Sequence, residues 1–181
     1  LFTHNDSVYS IRSYDFGGGG NCFYLSLIEI LNKTSDIKMS VAELRKIVSD
    51  SVLKMSDEDY EIHKFTLANP DMSKEEMAQE MLKASSWADN LTMSILGNYF
   101  KIKFLIYDDV HKLFTCQGYI NDDYNILAVI YYMNGNHYRV GIIFKDNKKI
   151  LTSSLLKDLN DEAIDFLTII YSDKKKSYGC T

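Results

Sequence analysis

Hydrophobic and polar positions change rhythm along this chain, first from period two to period 3.6 and later back again. Residues 7–14 (Ser7, Val8, Tyr9, Ser10, Ile11, Arg12, Ser13, Tyr14) mix apolar and polar side chains in alternation and read as a strand. Four glycines, Gly17 to Gly20, follow, and then Cys22, Phe23, Leu25, Ile28, Ile30 and Leu31 recur at helical spacing up to Asn32. A helix therefore starts at or beside Cys22. Ser40 with Glu43 has the spacing of a capping box and opens a helix to about Leu53, with Val41, Leu44, Ile47, Val48 and Val52 as its buried stripe.

The stretch 56–72 is acidic and irregular, holds the single proline, Pro70, and has room for a short helix over 57–64. Ser73 with Glu76 repeats the capping-box spacing and opens a helix to about Lys83. A further helix is expected to start at Ser85-Ser86-Trp87, to turn Leu91, Ile95 and Leu96 inward, and to stop at Gly97-Asn98. From residue 101 the grammar is that of strands: 102–107, 112–117, 126–133 and 138–144. Asn134-Gly135 between the last two favours a type I′ hairpin turn, which puts His137 at the start of a strand. An amphipathic helix over 156–171 and a polar tail, 172–181, close the chain. Helices early and strands late make the fold class α+β, with helices packed round an antiparallel or mixed sheet.

At 181 residues with 46% hydrophobic content, the chain is expected to be one domain, 1–181, with its core over about 7–171. It begins with Leu and no charged-then-apolar leader, so it is expected to be a piece of a longer protein. The longest apolar run, 126–133, suits a buried strand and is far short of a membrane span. A net charge of −5 argues against nucleic-acid binding, and the one basic cluster, Lys174 to Lys176, falls in the polar tail. Three cysteines, Cys22, Cys116 and Cys180, have no paired spacing, so neither a disulfide framework nor a zinc site is expected. A reducing, cytoplasmic setting follows from that expectation. Abundant Lys, Asn, Ile and Tyr with one Pro give the composition a flavour of large DNA viruses or intracellular bacteria, and in either case the setting would be a host cytoplasm.

The chemistry concentrates in the glycine loop. Four adjacent glycines supply backbone freedom, either for positive φ or for close approach of another molecule. A cysteine at a helix N-terminus meets unpaired N–H groups and the positive end of the dipole, which favour a thiolate and can cradle an oxyanion. The alternative is a small buried hydrophobe. A nucleophile needs a base, and there are four histidines. His4 lies near a chain end, His63 in the acidic helix, and His111 after the Asp108-Asp109-Val110 turn; each reads as a surface residue. His137 stands between polar turn residues and an apolar strand, at a rim between core and solvent, where a general base belongs.

Cysteine early at a helix start and histidine late at a turn-to-strand junction is the order of papain-like thiol hydrolases. The blocks Gly19-Gly20-Asn21-Cys22-Phe23-Tyr24, Trp87 ahead of Leu96-Gly97 and the strand 102–107, and Asn136-His137-Tyr138 occur in one order over about 9–144. In that order they resemble the ovarian-tumour (OTU) family of deubiquitinating cysteine proteases.

The resemblance implies a papain-like OTU fold, a mostly antiparallel sheet between helices. It also implies Cys22 as nucleophile, His137 as base, and main-chain amides of Gly19, Gly20, Asn21 and Cys22 as the oxyanion hole. Trp87, Asn136 and Tyr138 would bind the substrate tail, the partner would be ubiquitin or polyubiquitin, the chain would act as a monomer, and no cofactor would be needed. Trp87 read on its own is simply a large core residue.

Two positions depart from the family pattern. Gly19 stands where the family usually has Asp, and Arg139 where it often has Asp or Asn two residues after the histidine. The group that orients the imidazole is then Asp15, Asn134 or Asn136. The departures also motivate a rival from another class, an OTU-fold module that binds ubiquitin with little cleavage. A cysteine acyltransferase of another papain-like lineage is a third reading.

Overall fold

The computed structural model describes residues 1–64, 70–172 and the main chain of 177–178. Its strands are β1 (Phe2–His4), β2 (Ser7–Tyr14), β3 (Ile102–Asp108), β4 (Leu113–Gly118), β5 (Ile126–Met133), β6 (His137–Lys145), β7 (Lys148–Leu151), β8 (Ser154–Leu155) and β9 (Ser177–Tyr178). They form one sheet in the order β1-β2-β6-β5-β3-β4-β9, with β7 beside β6 and β8 beside β5. β3 runs parallel to β5, and β4 to β9. The other pairings are antiparallel.

The period of two along each strand sorts side chains between two cores. Ile102, Phe104 and Ile106 of β3, with Ile126, Ala128 and Ile130 of β5, join one apolar cluster. Its helical side comes from α1 (Cys22–Thr34), α2 (Val41–Lys54), α3 (Asp57–Lys64), α4 (Lys74–Met81) and α5 (Asn90–Phe100). Leu105, Tyr107, Leu127 and Val129 point the other way, onto Ala163, Phe166, Leu167 and Ile170 of α6 (Asp161–Ser172). β5 is covered on both faces, which is why 126–130 reads as an unbroken apolar run. The fully buried Phe104 alone stabilises the fold by about 1.5–3 kcal/mol. No described helix is long and apolar enough to cross a membrane.

Both capping boxes form. Ser40 accepts from the Glu43 N–H at 3.1 Å, and Ser73 from the Glu76 N–H at 3.1 Å. The expected helix at Ser85-Ser86-Trp87 begins later, because Asp89 is the residue that caps it: its Oδ1 accepts the Thr92 N–H at 2.9 Å. Trp87 therefore lies in the approach to α5. Gly97 does not end that helix, which continues to Phe100 and closes on Lys101 at φ 54°. Gly97 lacks a Cβ because the Gly118 main chain of β4 passes directly against it.

The closing helix starts at Asp161, where Asn160 Oδ1 accepts the Ala163 N–H at 2.9 Å, while Leu156–Asp158 forms a separate 3₁₀ turn. Ser177 and Tyr178, expected in a polar tail, pair with Phe114 and Thr115. The basic cluster 174–176 lies outside the described residues. Cys116 is disulfide-bonded, although no spacing among the three cysteines marks a pair and no disulfide framework is expected from them.

Candidate active site

Two polar side chains one turn apart on α1 pin that helix across the start of β6. Cys22, the first residue of α1, is 2% exposed, and its Sγ accepts the main-chain N–H of Tyr138 at 3.4 Å. Ser26 Oγ donates to the carbonyl of the same Tyr138 at 3.4 Å. The Tyr138 ring is held by Phe23 in an edge contact, with centroids 5.5 Å apart, and by Tyr132, stacked at 4.5 Å. His137 immediately precedes Tyr138, the residue whose N–H meets the thiol.

The imidazole is oriented from the opposite strand. β2 pairs with β6 as far as Tyr14 opposite Val140, so the next residue, Asp15, falls at the level of Arg139 and on the face that Arg139 shares with His137. Asp15 Oδ1 lies 3.1 Å from His137 Nε2 and also accepts the Gly17 N–H at 3.0 Å. The Gly17 N–H first, then His137 and Arg139, hold the Asp15 carboxyl below the usual carboxylate range. With Nε2–H donating to this carboxylate, the neutral ring keeps its lone pair on Nδ1, where it can take a thiol proton.

Of the three orienting candidates, Asp15 is the one the structure brings to the ring. The Asn134 N–H goes across to Asp109 Oδ1, just beyond β3, at 2.8 Å, and the Asn136 N–H to the Met133 carbonyl at 3.1 Å within the turn between β5 and β6. Asn134 and Gly135 have φ of 55° and 71°, the type I′ hand, and Asn136 is exposed.

The glycine loop is held by unlike means at successive positions. Gly19 to Asn21 form a single 3₁₀ turn closed by the Cys22 N–H donating to the Gly19 carbonyl. Gly19 sits at φ 67°, which disfavours a side chain, although the space beside it is open. Gly20 has the reverse constraint: a Cβ there would run into the Ala84 carbonyl and lie 2.8 Å from Ser85 C. Asn21 precedes the helix, yet its side chain does not cap it. Its Oδ1 instead accepts from Arg45, at 2.8 Å from Nη2 and 3.3 Å from Nε.

Arg45, which no sequence motif marks, also belongs to this loop's surroundings. It is 2% exposed, in the middle of α2, and it also reaches the Gly20 carbonyl at 2.9 Å. Its spacing to Val48, Ser49 and Val52 was the available signal, since i, i+3, i+4 and i+7 share a helix face whatever the residue type.

Trp87 is 48% exposed and follows directly on the segment against which Gly20 packs, so it stands at the rim of the loop and not in the core. The Tyr138 ring is buried, and it serves the site through its N–H and its packing. Tyr132, which no motif marked, has its phenol pushed up by burial, with Asp108 and Cys22 adding to the effect. Thiol, imidazole, carboxylate and a turn of main-chain amides in this order can carry out acyl transfer.

The family model for OTU-like cysteine proteases matches residues 17–138. No curated protein matches the chain. Among solved structures it is similar to an ovarian tumour (OTU) domain in complex with ubiquitin, with TM-score 0.60 and 22% identity, covering 88% of this chain and 82% of that one. An OTU deubiquitinase from Wolbachia pipientis wMel is similar at TM-score 0.59 and 14% identity, over 76% of this chain and 90% of that one. The viral OTU domain protease of Dera Ghazi Khan virus is similar at TM-score 0.53 and 16% identity, over 79% and 85%.

Proposed function

The chain belongs to the OTU-like cysteine protease family, and from that premise we propose that it is a deubiquitinase, hydrolysing the peptide or isopeptide bond after the C-terminal glycine of ubiquitin. The observation that carries this reading is the line from Asp15 through His137 to the Cys22–Tyr138 contact on this fold. His137 takes the Cys22 proton, and the thiolate attacks the glycine carbonyl carbon. The tetrahedral oxyanion collapses to a thioester as protonated His137 delivers its proton to the leaving lysine amine. His137 then activates water, which attacks the thioester; the ubiquitin carboxylate leaves and the thiol is regenerated. Trp87, half exposed beside the glycine loop, would pack on the glycine-rich tail.

The test is a panel of differently linked di-ubiquitins, together with a ubiquitin whose C-terminus bears an electrophile. Cleavage of at least one linkage and a covalent adduct on Cys22 are expected; intact substrates with no adduct would sink the proposal. One observation favours the binding-module rival, the engagement of the Cys22 N–H by the Gly19 carbonyl, which occupies an oxyanion donor. Rapid adduct formation with very slow turnover of the native bond would support that rival.

A further inference from the structure

We propose that Arg45 is the positioning residue of the oxyanion loop, fixing the Gly20–Asn21 peptide so that the Asn21 N–H is presented to the reacting carbonyl. The inference rests on the acyl-transfer reading above and adds to it a residue outside the catalytic line.

A guanidinium out of water is tolerated only when its donors are met. Arg45 meets them with the carbonyls of Gly20 at 2.9 Å, Met81 at 3.0 Å, Ala84 at 3.3 Å and Ser86 at 2.9 Å, and with Asn21 Oδ1 at 2.8 Å. Its remaining face lies over the Tyr24 ring, 4.3 Å from the centroid. Every one of these acceptors is uncharged. They fall in two stretches only, the two residues before the nucleophile and the segment leading to Trp87. The cation thus joins two walls of the site and pairs with neither by charge.

Peptide planarity converts this clamp into a direction. In a trans peptide the C=O and the N–H point oppositely, so drawing the Gly20 carbonyl to Arg45 turns the Asn21 N–H away from the guanidinium. The Cys22 N–H is occupied by Gly19, which leaves the Asn21 N–H as the donor whose direction is set from outside the loop. Glycines have more conformational freedom to lose than any other residue, and Gly19 has no side chain with which to steady the turn. Arg45 and the close packing of Gly20 on Ala84 and Ser85 supply the hold.

The experiment compares Arg45→Lys, which keeps the charge but not the planar fork, with the unaltered protein. For a ubiquitin bearing a fluorogenic C-terminal amide, kcat should fall roughly 10²-fold, the scale of a misplaced reacting geometry, with KM within about threefold. Iodoacetamide alkylation of Cys22 should keep its rate, because displacement at an sp³ carbon develops no oxyanion. Alkylation falling in step with turnover would mean a collapsed site and overturn the proposal. Should the variant not fold, Asn21→Ala removes one anchor at the rim and should lower kcat by about tenfold with the same split.

Amide hydrogen exchange over residues 17–22 is read in parallel. It should rise about tenfold or more in either variant, with the later turns of α1 unchanged. Unchanged exchange overturns the proposal whatever the substrate. If the unaltered protein leaves the ubiquitin amide intact while exchange rises as expected, the deubiquitinase reading fails and the clamp stands.

Discussion

Asp15 Oδ1 meets His137 Nε2 at 3.1 Å although 122 residues separate them in the chain. The carboxylate reaches the ring because β2 and β6 are neighbours, and it is held there by the Gly17 N–H as well as by the imidazole. Removing the acceptor should therefore impair the chemistry more than the fold. Asp15→Ala is expected to lower kcat by at least about 10²-fold, while Asp15→Asn, which keeps an acceptor oxygen, retains most of the activity. Steady-state kinetics of the two variants beside their unfolding temperatures check this. Equal activity in all three proteins would return the orienting role to another group.

The same carboxyl has a sign in its pH dependence. Its pKa is lower in the folded protein than in the unfolded chain, so its stabilising contribution is present above the ordinary carboxylate value of about 4 and is lost as pH falls through the lowered folded value. The difference in unfolding temperature between the unaltered protein and Asp15→Asn should be fully present at about pH 5. It should shrink below about pH 4. A difference that grows in acid would contradict the lowered pKa.

Alanine substitution through the loop should separate the uses of its glycines. Gly18 has φ −107° and open space around it, so Gly18→Ala should be neutral or stabilise by about 0.4–1 kcal/mol. Gly19→Ala, at positive φ, should cost about 1–2 kcal/mol. Gly20→Ala pushes a methyl into the Ala84 and Ser85 main chain and should cost about 1–3 kcal/mol, with the largest loss of turnover of the three. Gly19→Asp carries the same backbone strain, so restoring the acid that the family usually has there should lower activity. Urea unfolding and kcat, measured on each variant, decide the order.

Trp87 is half exposed, so its removal tests binding against packing. Trp87→Ala should change stability by no more than about 0.5 kcal/mol. It should raise KM for a ubiquitin substrate by about tenfold or more with little change in kcat. A large loss of stability with KM unaltered would return Trp87 to the core.

Cys22 at a helix start, His137 at the mouth of an Asn-Gly hairpin and the α+β order of elements were legible in the chain because each is written in local grammar. Capping boxes, turn dipeptides and hydrophobic period act over a few residues, so spacing alone reveals them. The hairpins at Asn5-Asp6 and Asp146-Asn147 were written in the same grammar. All four residues have positive φ, yet neither pair contains the glycine that makes such a turn conspicuous in a sequence.

Asp15 as the partner of His137 was one candidate among three until strand order placed β2 against β6. Arg45 was invisible as a site residue for a related reason. Its partners are main-chain carbonyls and one amide oxygen gathered from 20–21 and 81–86, and main-chain acceptors carry no residue-type signature. Whether Cys22 and His137 meet at all depends on the Tyr138 N–H reaching Sγ across 116 residues, a contact that only the packing of α1 on β6 could make. Local propensities act over a turn or two and set the elements. The site is a property of how non-adjacent elements share two cores, and that free energy exists only once the chain has folded.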